Sequence, residues 1–233
     1  MSYLEGDRPS VWAEAGGSTR SDESPPFSYK GGMLDQATSD SQGVSSDPDA
    51  IREAHCAVLE MAVANSPLEK TLSALIQIVE STSKTGVLGS ILILDGRHLR
   101  HGAAPSLPRA YCEAIDGAEI GPREGSCGTA AFSGKPVFVS DIETDPLWSE
   151  YKAVALPHGL RACWSTPIIT ANRKVLGTFA MYHREPREPT VRDLALVDLV
   201  TQTAALVIDR ARARTALHEI EAIAARTAPG QPN

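Results

Sequence analysis

Between positions 47 and 83 apolar residues recur at helical spacing in two runs. In "DPDAIREAHCAVLEMAVAN", Ile51, Ala54, Val58, Leu59 and Ala62 share one face, with Asp47 placed to cap and Pro48 in the first turn. "SPLEKTLSALIQIVE" repeats the device: Ser66 as cap, Pro67 as opener, Glu69 where a capping box needs it, and a stripe of Leu68, Leu72, Leu75 and Val79. The period then shortens. "GVLGSILILD" and "GRHLRHGAA" read as a hairpin turning at Asp95-Gly96, "LPRAYCEAI" as a short helix or turn, and "PVFVSDI" as a strand. Asp145-Pro146 caps and opens a helix through "LWSEYKAVAL" that ends near Gly159. "LRACWSTPII" and "KVLGTFAMYH" are two further strands joined around Ala171-Asn172, and Thr190 with Asp193 boxes the start of a long final helix.

The resulting order, with hairpins at both ends of the strand set, predicts an α+β fold. It is a mostly antiparallel sheet of five to six strands, terminal helices on one face and a loop-and-helix cover, residues 105–160, over a pocket on the other. Such a roofed sheet commonly encloses a ligand cavity.

Composition narrows the picture. Residues 1–46 are rich in Ser, Gly, Asp and Pro without apolar period, which predicts a disordered tail. The expected organisation is that tail, a domain over 47–210, and a helical extension and tail over 211–233. A net charge of −7 with no clustered Lys/Arg argues against nucleic acid. No run is long enough to span a membrane, and the N-terminus has no signal-like pattern, so a cytoplasmic protein is expected. Cys56, Cys112, Cys127 and Cys163 form no CxxC pair and are expected as free thiols.

Several pieces carry a family likeness: Gly125-Ser126-Cys127-Gly128-Thr129-Ala130, Val139 to Trp148, Gly159 to Ile168 and Val175 to Tyr182. Together they resemble a GAF domain, of the subgroup in bacterial sensor histidine kinases and cyclic-di-nucleotide enzymes, over roughly Pro48 to Arg210. The resemblance implies a scaffold that binds a small molecule or dimerises. Family ligands range from cyclic nucleotides to bilins, haem, anions and 2-oxo acids, so no cofactor is named.

Within that frame the candidate ligand contacts are Trp148, Tyr151, Trp164, Ser126, Cys127, Asp141, Arg161, Thr166 and Phe179. Trp148 and Tyr151, three apart, share one face of the cover helix; Trp164 sits on a central strand with Ala162, Thr166 and Ile168 on the same side. Free-methionine sulfoxide reductases are GAF proteins with a cysteine in a similar "CG" turn, which offers Cys127 a redox role. Their partner thiol lies in the following loop, and residues 128–160 here contain no cysteine, so Cys127 reads as a small residue packed under a helix begun at Gly128. "ALPHGL" lacks the Cys-His pair of covalent bilin sites. His98 and His101, three apart on a strand, face opposite ways and do not make a metal site; His55 and Cys56 read as ordinary helix residues. His218 lacks the proline of a phosphoacceptor helix, and no ATP-binding domain follows it. The expected function is a non-enzymatic sensory domain. The alternatives are a Cys127 reductase or a ligand-free dimerisation module. Leu196, Leu199, Thr203, Leu206, Arg210, Ala213, Leu217, Ile220 and Ala224 approximate a heptad seam. That seam, with Ile51–Val79, predicts a homodimer whose signal passes to a separate kinase or other output protein.

Overall fold

A computed structural model describes residues 48–83 and 86–227. The predicted 1–46 tail and the Asp47 cap lie outside the described residues. Two helices, α1 (Pro48–Val63) and α2 (Leu68–Thr82), lead into the hairpin β1 (Leu88–Asp95) and β2 (His98–Ala103). The middle third runs through α3 (Arg109–Ile115), β3 (Ala118–Glu119), α4 (Gly125–Ser133) and β4 (Val137–Val139). It continues through a 3-10 turn at Pro146–Trp148, α5 (Lys152–Ala155) and a second 3-10 turn at Leu156–His158. The strands β5 (Ala162–Ile169) and β6 (Val175–His183) precede α6 (Val191–Thr227). All strand pairs are antiparallel, in the order β3-β2-β1-β6-β5-β4.

Alternation along the strands divides the core into two. On one face Ile91, Trp164, Ile168, Phe179 and Met181 pack against Leu72, Leu75, Ile76 and Val79 of α2 and Val197, Val200, Ala204 and Ile208 of α6. On the other, Leu88, Cys163, Ala180 and Tyr182 lie beneath the cover with Tyr111, Ile142, Trp148 and Leu160. β1 and β6 pair so closely that a Cβ at Gly177 would stand 2.1 Å from the Leu92 carbonyl oxygen, so only glycine fits there.

Local signals explain most element ends. Asp145 accepts from the Leu147 N–H at 2.8 Å. Thr190 and Asp193 exchange backbone-to-side-chain bonds at 2.8 and 3.3 Å, a capping box with aspartate in the glutamate's place. Three expectations change. α2 starts at Leu68 with Pro67 at the cap position and no side-chain cap bond. The expected cover helix after Asp145 breaks into three short pieces, because Pro157 interrupts it and Gly159 closes it at φ 71°. α4 also begins earlier than Gly128, at Gly125, whose φ of 58° lets the chain turn into the helix.

α6 carries two stripes rather than one. Val197, Val200, Ala204, Val207 and Ile208 face the core, whereas Leu206, Leu217 and Ile220 of the predicted seam stay 67%, 59% and 65% exposed. His55 is more than a surface residue: its Nε2 lies 2.7 Å from Thr203 Oγ1 and joins α1 to α6. His98, His101 and His218 are exposed. No helix among the described residues is long and apolar enough to cross a membrane.

Candidate functional site

The first turn of α4 is the centre of the cover. Ser126 is fully buried, and its hydroxyl donates to the Cys163 carbonyl of β5 at 3.0 Å while accepting from the Trp148 indole N–H at 3.0 Å. One small side chain thus clamps the helix to the sheet and the 3-10 turn to the helix. Trp148 and Tyr151 meet edge to face with centroids 6.4 Å apart, so the predicted shared face holds although the helix does not. The Tyr151 hydroxyl donates to Glu124, and burial together with that carboxylate raises its pKa to about 12. Below them Tyr111 stands edge-on to Tyr182 at 5.6 Å, both buried and both with pKa values pushed well above the phenol range, chiefly by burial.

Cys127 lies between these aromatics and the sheet. Its sulfur is 3.9 Å from the Tyr182 hydroxyl. Tyr182 pairs directly across the ladder with Cys163, and Ser126, next to Cys127, bonds the Cys163 carbonyl. Cys127 therefore packs against the same buried cluster that holds Cys163. The neighbouring Cys163 thiol lowers the Cys127 pKa to about 7 against the opposing effect of burial, aided by the Tyr182 hydroxyl. Burial holds Cys163 well above the usual thiol range. The thiol packed nearest Cys127 thus comes from β5 and not from residues 128–160, which hold no cysteine.

Beneath α4 the sheet is studded with hydroxyls. Ser90, Ser165 and Thr178 are 1%, 0% and 0% exposed, and none has a hydrogen-bond partner. Ser90 and Ser165 flank Ala180 from either side in the ladder, and Thr178 is two residues along β6. Between the sheet and the cover lies a cavity of about 30 Å³, lined by Leu92, Leu99, Tyr111, Cys127, Trp148, Tyr151 and Tyr182 among others; the three hydroxyls are not among its lining residues. The expected hollow is thus nearly closed by its own aromatic walls. A larger groove, about 610 Å³, runs outside the cover between Glu69, His101, Arg109 and Asp116. Several of its charged groups are already engaged, Arg109 with Glu113 at 2.7 Å and Asp116 with the His101 backbone N–H at 2.7 Å, so it is the weaker candidate.

Of the predicted contacts, the structure brings Ser126, Cys127, Trp148 and Tyr151 together. It places Trp164, Thr166 and Phe179 on the opposite, helix-facing side: Thr166 pairs with Phe179 in the ladder, and Trp164 lies 4.1 Å from the His183 ring with the Arg187 guanidinium 5.3 Å from its centre. Asp141 and Arg161 lie at the rim. Arg161 bridges Asp141 at 3.4 Å and Glu143 at 2.8 Å, and Asp141 also caps the turn through the Glu143 N–H at 3.2 Å. Sequence reasoning missed Tyr111, Tyr182 and Glu124, and set Cys163 aside because it lies on a strand and not in the following loop.

The family model for the GAF domain matches residues 65–209. The chain belongs to the GAF domain family. Over 166 residues it is 36% identical to the methyl sulfide methyltransferase-associated sensor of Methanosarcina acetivorans. The match covers 70% of this chain but 16% of that protein, so the chain spans only a small part of its relative. Among solved structures, the GAF domain from Acinetobacter phosphoenolpyruvate-protein phosphotransferase superposes with a TM-score of 0.55 at 15% identity, covering 71% of this chain and 97% of that one. Free methionine-R-sulfoxide reductase from Neisseria meningitidis, in complex with its substrate, gives 0.56 at 14% identity, covering 74% and 96%. At such identities the likeness establishes the shared fold. Sensor and reductase both occur on this GAF scaffold, so the choice between them rests on the site.

Proposed function

We propose that this GAF domain is a non-enzymatic receptor for a small molecule held between α4 and the sheet, and that occupancy biases α6. The observation that carries the reading is the trio Ser90, Ser165 and Thr178. A sheet face built only to pack would be apolar, since each buried hydroxyl without a partner costs about 1–3 kcal/mol. A polar ligand seated deeper than the present cavity, against the sheet, supplies partners for such groups. The cavity as it stands admits only a few atoms, so a larger ligand lifts the cover. The short pieces from Pro146 to His158 are the part of the cover best able to yield.

The route to α6 is short, because β5 and β6 present Cys163 and Tyr182 to the cover and Trp164 and Met181 to the helices. A ligand that prefers one arrangement of these strands shifts the helices with it. We further propose that the exposed Leu206, Leu217 and Ile220 of α6, with Val63 of α1, pair with a second copy, and that the dimer passes its state to a kinase or other output protein.

Native mass spectrometry of protein purified from its own host tests the receptor reading: a persistent small-molecule adduct is expected, and bare protein in every charge state refutes it. Leu217→Glu is expected to shift the sedimentation coefficient from dimer to monomer. The packing of Cys127 against the cluster that holds Cys163 favours a second reading, a sulfoxide reductase. Turnover of free methionine sulfoxide by the wild type but not by Cys127→Ser establishes that reading in place of the first.

A further inference from the structure

Cys127 packs against the cluster that holds Cys163, and its neighbour Ser126 bonds the Cys163 carbonyl at 3.0 Å, an arrangement that a purely receptive pocket does not require. We propose that Cys127 and Cys163 form a reversible oxidation site for a small hydroperoxide, with Cys127 as the attacking thiol and Cys163 as the resolving one. The geometry assigns the roles. Cys127 is partly exposed and lines the cavity, whereas Cys163 is fully buried behind it, so an oxidant arriving through the cavity meets the Cys127 sulfur first. The lowered pKa of Cys127 supports the assignment by making part of it thiolate near neutrality.

Cavity size selects the oxidant class. About 30 Å³ accommodates one or two water-sized molecules. Hydrogen peroxide fits, and a molecule as long as methionine sulfoxide does not unless the cover moves. The hydroxyl of Tyr182, 3.9 Å from the Cys127 sulfur, is placed to donate to the departing oxygen.

The chemistry balances without further components. The Cys127 thiolate attacks one oxygen of the peroxide; the O–O bond breaks, the leaving oxygen takes a proton, and Cys127 becomes a sulfenic acid. Cys163 sulfur then attacks the Cys127 sulfur. The S–S bond forms as the S–O bond breaks, and the Cys163 proton leaves with the hydroxide as water. In sum two thiols lose two electrons and two protons, and the peroxide is reduced to two waters, or to an alcohol and water for an alkyl hydroperoxide. The disulfide would tie the first turn of α4 to β5, already joined there by the Ser126 hydroxyl. A dithiol reductant reverses it. This site stands apart from the receptor reading and survives if no adduct is ever found.

The test uses the full chain, reduced and then exposed to equimolar hydrogen peroxide, quenched with an alkylating agent under denaturing conditions and mapped by peptide mass spectrometry. A Cys127–Cys163 disulfide, reversed by dithiothreitol, is expected in the wild type and in a Cys56→Ser/Cys112→Ser background. In Cys163→Ser the same treatment is expected to leave Cys127 as a sulfenic acid captured by dimedone, with no crosslink. The mapping needs no variant, so it stands even if Cys163→Ser does not fold. Three results overturn the proposal: both thiols still alkylated after treatment, disulfides formed only through Cys56 or Cys112, or faster disulfide formation with methionine sulfoxide than with peroxide.

Discussion

Replacing Ser126 by alanine removes one oxygen and leaves two groups without their partner, the Trp148 indole N–H and the Cys163 carbonyl, each 3.0 Å from it. The carbonyl has a second lone pair and loses little. The indole has one donor and no alternative, and Trp148 is 4% exposed, so it is left buried and unsatisfied. That penalty is about 1–3 kcal/mol, at the low end if a water settles in the neighbouring cavity. For a domain of this size each kcal/mol corresponds to roughly 2–4 °C in Tm, so the fall expected at about 2 kcal/mol is roughly 4–8 °C. Thermal denaturation followed by tryptophan fluorescence measures it. The decisive version is a cycle with Trp148→Phe, which deletes the donor: in that background the Ser126→Ala cost is expected to shrink by about 1 kcal/mol. Equal costs in both backgrounds refute the claim that one hydroxyl joins helix, turn and sheet.

Gly177→Ala drives a Cβ to 2.1 Å from the Leu92 carbonyl oxygen, a backbone atom that cannot swing away, so a loss of several kcal/mol and largely insoluble protein are expected on expression. Arg212 of α6 donates to the Leu94 carbonyl at 2.6 Å and the Leu176 carbonyl at 3.4 Å; Arg212→Met is expected to speed amide exchange in the second half of α6 with little change in the sheet. His183 is buried with both ring nitrogens unpartnered, and burial, then the nearby Arg187 charge, lowers its pKa from 6.5 to about 4. The fold therefore binds the neutral ring: its contribution is whole above pH 6.5 and is lost as the pH falls from there toward 4, at most about 3 kcal/mol, and His183→Gln is expected to flatten that part of a urea-denaturation pH profile.

The Asp145 cap, the Asp95-Gly96 hairpin and the Thr190–Asp193 box were legible because each is decided by residues within one turn of one another. The site was legible only in part. Trp164, Ala162, Thr166 and Ile168 do share a side of β5, but alternation gives parity and not which face meets the helices, and in β5 both faces are buried. A signal was present in residue size: Cys163 and Ser165 alternate with Trp164 and Ile168, and Thr178 and Ala180 with Phe179 and Met181. The small, hydroxyl-bearing parity belongs under α4 and the bulky parity under the long helices. Cys163 was set aside for a different reason. Its meeting with Cys127 depends on where α4 crosses β5, a long-range register that spacing along the chain does not encode.

That division of the strands has a functional consequence. Both layers share β5 and β6 as a common wall, so a displacement of Cys163 or Tyr182 toward the cover moves the backbone that carries Trp164 and Met181. Interiors are close-packed, and a wall this thin cannot absorb such a shift as empty space. Trp164 donates its indole N–H to the Arg187 carbonyl at 3.2 Å, and the Arg187 guanidinium bonds Asp193 in the first turn of α6 at 3.2 Å. A continuous run of contacts therefore joins the α4 turn to the start of the long helix: Ser126 to Cys163, along the strand to Trp164, and through Arg187 to Asp193. Spatial continuity alone is not coupling. If the run carries signal, Arg187→Ala should leave ligand or peroxide chemistry at Cys127 intact while removing its effect on exchange rates in α6; loss of both together, or of neither, shows that the helices respond by another route.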